Sequence, residues 1–150
     1  FIGIDLKGSR IWKGARQCML EGRTNVAFIR SPIEVIDTYF EPGEVSEIWI
    51  TFPDPQPRDK WEGKRLTSPE YLDLYQRILK PEGFIHLKTD NTPLYEYTLA
   101  ILKNLDHKIV FQSDDIYSLP VHDEVLSIET NFEKKFKALG ERIKYIRFQY

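Results

Sequence analysis

The chain has 150 residues, 41% of them hydrophobic and 29% charged, a balance that excludes intrinsic disorder and leaves room for one domain with a real core. It has no apolar run near the roughly 18 residues of a membrane-spanning helix, and one cysteine, Cys18, which excludes an internal disulfide or a thiolate zinc cage. Three scattered histidines, His86, His107 and His122, match no metal-ligand spacing, and a net charge of −2 means that any contact with a polyanion must use a local patch.

Phe1-Ile2-Gly3-Ile4-Asp5 reads as a strand ending on an acid, and residues 9–21 as a helix with Ile11, Ala15 and Cys18/Met19 on one face. Residues 25–29 form a second strand and 33–39 a short helix. Residues 46–52 form a third strand, followed by a long loop with three prolines. Ser68-Pro69-Glu70 opens a helix, with serine as cap and proline in the first turn, and Lys80-Pro81-Glu82-Gly83 stops it. Residues 84–89 are a strand, Thr92-Pro93 opens a helix carrying Leu94, Tyr97, Ile101 and Leu105, and residues 108–112 are a fifth strand. A short charged helix over 131–139 and a strongly alternating strand over 143–150 close the chain. No repeat or linker interrupts this pattern, so residues 1–150 are expected to form a single domain.

Strand–helix alternation at this spacing predicts an α/β fold, a mostly parallel sheet with helices on both faces, whose ligands bind outside the carboxyl ends of the strands. Asp5, the loop after Phe52 and Thr89-Asp90-Asn91 all lie at such ends and are expected to converge on one crevice. A carboxylate at Asp5 suits a ribose diol; it equally suits the cap of the next helix. In Phe52-Pro53-Asp54-Pro55-Gln56-Pro57-Arg58, three missing N–H donors forbid sheet pairing and three fixed φ angles hold one carboxylate rigidly past a strand. Thr89-Asp90-Asn91 serves either a ligand or the cap of the following helix. Lys7, Arg10, Lys13 and Arg16 recur every three residues as one cationic stripe, and Arg58, Lys60, Lys64 and Arg65 surround Trp61, a combination suited to phosphate contact and base stacking.

In chain order, Gly3-Ile4-Asp5 with Lys7-Gly8-Ser9-Arg10-Ile11-Trp12, Phe40-Glu41-Pro42-Gly43-Glu44-Val45, Phe52-Pro53-Asp54-Pro55 through Lys64-Arg65-Leu66-Thr67, Leu87-Lys88-Thr89-Asp90-Asn91 and Thr130-Asn131-Phe132-Glu133-Lys134-Lys135-Phe136 resemble the bacterial tRNA (guanine-N7)-methyltransferases. The resemblance implies a Rossmann-like class I methyltransferase sandwich with its last strand antiparallel, S-adenosyl-L-methionine as methyl donor without a metal, and tRNA as the partner. It further implies a cytoplasmic monomer or homodimer without membrane attachment, and methylation of guanine N7 in the tRNA variable loop. By the same resemblance Asp5 holds the donor's ribose, and Asp54 sits where donor and guanine meet and is the catalytic residue. Arg58 stands for a substrate-contacting lysine, while Asp90, Thr130, Asn131, Phe132 and Glu133 bind the target nucleotide.

The sequence departs from the family at Gln56, where tryptophan is usual, and in the less basic Asp59-Lys60-Trp61-Glu62-Gly63. It departs again at Arg30-Ser31-Pro32-Ile33, which lacks the acid that reads adenine. The family's glycine-rich donor loop and the strand before it have no counterpart after Phe1, so a family member missing its opening segment is expected, with its own activity in question. An amino-methyltransferase or a non-catalytic RNA-binding scaffold of the same fold are the alternatives. This chain alone is expected to bind the donor weakly or not at all, and calorimetric titration giving micromolar affinity contradicts that expectation.

Overall fold

The computed structural model describes residues 1–119 and 125–150; His122 lies outside them. The chain resolves into two compact units, residues 1–41 and 42–150.

The first unit pairs β1 (Ile2–Ile4) in parallel with β2 (Ala27–Ile29), with α1 (Gly8–Leu20) as the crossover between them. Gly3 on the strand and Gly14 on the helix both face the Phe28 ring, and a Cβ built at either would lie 2.9 Å from it. Phe28 therefore sits where only glycine lets strand, ring and helix meet. Cys18 is turned partly inward on α1 while its neighbour Met19 is 81% exposed. Residues Ile33–Thr38 form a 3₁₀ helix with Ile36 as its buried anchor.

The second unit is a four-stranded sheet of β3 (Val45–Thr51), β4 (Leu79–Thr89), β5 (Lys108–Ser113) and β6 (Lys144–Gln149), in the order β3-β4-β6-β5. β3 and β4 are parallel, and β6 runs antiparallel between β4 and β5. Alternation along the strands sends Ile50, Ile85, Leu87, Ile146 and Phe148 to one face, where α2 (Pro69–Ile78) and α3 (Thr92–Asn104) pack with Leu72, Tyr75, Ile78, Leu94 and Leu102. The other face carries Trp49 stacked on His86 at 3.9 Å between ring centroids, with Tyr145 bonded to His86 Nδ1 at 2.7 Å. Farther along it Ile116, Ile143 and Tyr145 gather Phe52, Phe111, Tyr117, Leu126 and Phe136, the last from α4 (Asn131–Ala138).

Two local expectations change. Ser68 occupies the cap position of α2 but its side chain makes no capping bond, so proline at the first position and Glu70 are what favour that helix start. β4 begins at Leu79, not Phe84, because Leu79 pairs with Val45 as soon as α2 ends. Lys80–Gly83 then bulges out of the ladder before Phe84 pairs with Glu47. Glu82 turns the bulge at φ 61, and its carbonyl accepts the Gln149 amide at 2.6 Å. At Gly83 a Cβ would lie 2.6 Å from Leu79 Cγ and 3.0 Å from the Ser46 carbonyl. Among the described residues no helix is long and apolar enough to cross a membrane.

Gly83→Ala is expected to destabilise the fold by about 1–3 kcal/mol through that overpacking. Urea denaturation measures the loss.

Candidate functional site

Residue 88 of β4 and residue 51 of β3 face one another at the carboxyl edge of the parallel pair, and the Phe52 N–H donates to the Lys88 carbonyl at 2.8 Å. The Asp54 loop and Thr89-Asp90-Asn91 thus leave the sheet side by side, as the strand-end rule predicts. The loop leaves it under strain. Phe52 has φ 50 and Gln56 φ 47, left-handed values that cost on the order of 1–3 kcal/mol each in residues other than glycine. Three contacts hold these angles. Phe52 stacks on Phe136 of α4 with centroids 5.8 Å apart, Asp54 Oδ1 accepts the Gln56 N–H at 3.1 Å, and Arg65 Nε donates to the Gln56 carbonyl at 3.2 Å. Asp54 itself is exposed, and its Oδ2 accepts no hydrogen bond among the described residues.

Of the two readings of Thr89-Asp90-Asn91, the cap of the following helix is the one the structure shows. Thr89 Oγ1 accepts the Asn91 N–H at 3.1 Å, and Asn91 Oδ1 caps α3 through the Leu94 N–H at 2.8 Å. The half-buried Asp90 is the one of the three whose side chain is bonded to no described residue; its carbonyl accepts from Lys144 Nζ at 2.9 Å.

Thr130-Asn131-Phe132-Glu133 starts α4 through a capping box: Thr130 Oγ1 accepts the Glu133 N–H at 3.1 Å while Glu133 Oε2 accepts the Thr130 N–H at 3.2 Å. Glu133 is 0% exposed. Its Oε1 is 2.6 Å from Lys88 Nζ and accepts the Tyr117 hydroxyl at 2.7 Å, so both oxygens are engaged inside the protein. Asn131 and Phe132 lie on the exposed side of the same turn. Lys88 and Tyr117 are site residues that sequence reasoning overlooked. The available signals were a lysine at the inner end of the apolar Phe84–Leu87 run, which demands an acid once buried, and the Thr-x-x-Glu spacing of a capping box.

Around the loop's far end, residues Asp59–Lys64 form a 3₁₀ helix. The Arg58 guanidinium lies 4.5 Å from the Trp61 ring centroid and Lys60 Nζ 5.6 Å, while Arg65 lies 4.3 Å from that of Tyr97. Of the expected basic–aromatic cluster, Arg58 and Lys60 are assembled over Trp61, whereas Arg65 lies over Tyr97 instead. In the first unit, Asp5 Oδ1 accepts the Lys7 N–H at 2.7 Å and Oδ2 receives Arg10 at 3.2 Å. Lys7, not Asp5, is the cap residue of α1, and these two contacts leave some of a carboxylate's about four acceptor positions open. Lys7, Arg10, Lys13 and Arg16 all lie on exposed positions of α1 and its entry.

The sequence profile of the family described as "Putative methyltransferase" matches residues 1–146. Among curated proteins, the chain is 47% identical to a tRNA (guanine-N(7)-)-methyltransferase from Christiangramia forsetii, covering 99% of this chain and 67% of that protein. It is 48% identical to one of the same name from Porphyromonas gingivalis and 44% identical to one from Bacteroides thetaiotaomicron, covering 99% of this chain and 60% and 58% of theirs. The chain thus spans about three fifths to two thirds of the length of these relatives. Among solved structures it is similar to an rRNA methylase from Streptococcus thermophilus (TM-score 0.60, 13% identity, 99% of this chain and 71% of that one). It is also similar to a SAM-dependent methyltransferase from Aquifex aeolicus (TM-score 0.58, 13% identity, 98% and 66%). At such identities these two show the fold alone, the Rossmann-like α/β sandwich with an antiparallel last strand.

The site's tyrosines carry its perturbed protonation. Burial, then the Glu62 charge, push the Tyr97 phenol up to about 12, against a smaller opposite pull from Arg65. Burial, then its bond to Glu133, push Tyr117 well above the ordinary tyrosine range. Both favour the neutral phenol in the folded state, so the stability they add is fully present below the unfolded value of about 10 and is lost as pH rises through the folded value. For Tyr97 the loss runs from about pH 10 to about pH 12. Denaturation midpoints across that window are expected to fall in the wild type, and to fall less steeply in Tyr97→Phe.

Proposed function

Because the chain belongs to the methyltransferase family whose profile spans nearly all of it, we propose that its protein transfers a methyl group from S-adenosylmethionine to N7 of a guanine in the variable loop of tRNA. The observation that carries this reading is the name shared by relatives that match 99% of the chain, and the geometry at the carboxyl edge agrees with it. The donor is a substrate that supplies an electrophilic methyl on a sulfonium sulfur.

Guanine N7 carries a free lone pair, so the reaction needs no general base; it needs alignment. Asp54, held by a strained, triply proline-braced loop, is the catalytic residue, acting by position and charge. Its carboxylate favours the positive charge that grows on the methylated ring. Asp90 accepts from the guanine N1–H and exocyclic amine, a bidentate contact of a kind that contributes about 1–3 kcal/mol of base discrimination in related recognition problems. Arg58, oriented by Trp61, takes a tRNA phosphate. Thr130, Asn131 and Phe132 present the first turn of α4 to the nucleotide, and Glu133 serves from behind that turn. Asp5 accepts from the donor's ribose hydroxyls. The substrate is cytoplasmic tRNA, taken by a monomer or homodimer.

Incubation of the full-length protein with unmodified tRNA and labelled donor is expected to place the label on guanine N7. Label on an exocyclic amine moves the protein to the amino-methyltransferases, and no transfer favours an RNA-binding scaffold. Asp54→Ala is expected to lower turnover by about 10²–10³-fold with donor and tRNA affinities retained; unchanged turnover refutes the role given to Asp54.

A further inference from the structure

The Lys88 side chain is 3% exposed, and its ammonium lies 2.6 Å from Glu133 Oε1, 3.0 Å from the Leu126 carbonyl and 3.4 Å from the Ile128 carbonyl. Three acceptors match the three protons of an ammonium, so nothing remains to offer a substrate. The same residue is bonded both to the root of the Asp54 loop and to the start of α4. Its carbonyl receives the Phe52 N–H at the root of the Asp54 loop, and Asp90 follows two positions later. Its ammonium fixes the carboxylate that caps α4 behind Asn131 and Phe132. The circuit closes through Phe52, whose ring rests on Phe136 one helical turn beyond Glu133.

We propose that Lys88 is the positioning residue of this site: through Glu133 its ammonium ties the first turn of α4 to the end of β4, from which the Asp54 loop and Asp90 depart, and methyl transfer depends on that register. The assignment rests on the reading under Proposed function for the identity of the reaction. Its physical basis is that a buried ion pair is a poor source of net stability. A matched neutral pair often stabilises a fold as well or better, whereas removing one partner strands a charge. What the ion pair adds is a short, directional link between a strand end and a helix start. Tyr117 serves the same link, its hydroxyl donating to the oxygen that Lys88 holds.

That difference separates positioning from mere support. Lys88→Met combined with Glu133→Gln removes both charges and keeps the capping box, because glutamine also accepts the Thr130 N–H. In the full-length protein this double variant loses the lysine's bonds to the Leu126 and Ile128 carbonyls and one acceptor of the Tyr117 hydroxyl; it is expected to melt a few degrees lower, to stay folded at the assay temperature and to bind the donor normally. Its kcat on tRNA is expected to fall by about 10²-fold, the effect of an error near 1 Å in alignment. Tyr117→Phe, which removes a single hydroxyl, is expected to fold and to lose about tenfold in kcat with KM unchanged. A folded double variant as fast as the wild type, or a Tyr117→Phe enzyme with wild-type kcat, overturns the assignment. So does a loss that appears in KM alone. Wild-type protein that leaves guanine N7 unmodified overturns the functional reading by itself, and is told apart because it involves no variant.

Discussion

The Lys88–Glu133 pair is the constraint around which the second unit is arranged. Desolvating two opposite charges costs several kcal/mol per ion, about what their attraction returns, unless hydrogen bonds satisfy what the pair leaves over. Here they do. Two backbone carbonyls complete the lysine, and a tyrosine hydroxyl and the Thr130 N–H complete the glutamate. Meeting that demand forces the segment around Leu126–Ile128 to lie across the sheet face and α4 to begin above the end of β4. The aromatic cluster of Phe52, Phe111, Tyr117, Phe136 and Tyr145 then fills the space between them.

Strain and restraint are divided between neighbouring segments. The Asp54 loop carries two non-glycine residues in left-handed conformation, and the contacts that hold them come from Phe136 of α4, from Asp54 itself and from Arg65. A loop set this way holds its carboxylate in one place without further ordering, because the ordering was done during folding. The basic side chains nearby follow the same economy. Arg58 and Lys60 rest on Trp61, and Arg65 on Tyr97, so these cations are oriented by the fold itself.

Much of this was legible in the residues. Strand–helix alternation and the Asp54 loop follow from local signals: two-residue periodicity, helix caps and three prolines within five positions; the antiparallel last strand was implied only by the family resemblance. What escaped needed a partner to be seen. The early start of β4 depends on Val45 lying opposite Leu79, and the bulge at Glu82 on a carbonyl of β3 approaching Gly83. Ser68 has the residue type and place of a cap but makes no capping bond. Glu133 reads as a base-binding acid until Lys88 takes it.

The sequence by itself determined which segments are strands and helices, which of them end in acids, and that Asp54 sits on a chain with little freedom, because these are properties of neighbours along the backbone. Only the tertiary structure decided which acids face outward. Asp54 and Asp90 keep oxygens that no described residue engages, while Glu133 keeps none, and that outcome depends on a lysine distant in sequence. Burial is a property of what packs above a side chain, and an ion pair forms where two segments meet. Neither is encoded in a spacing.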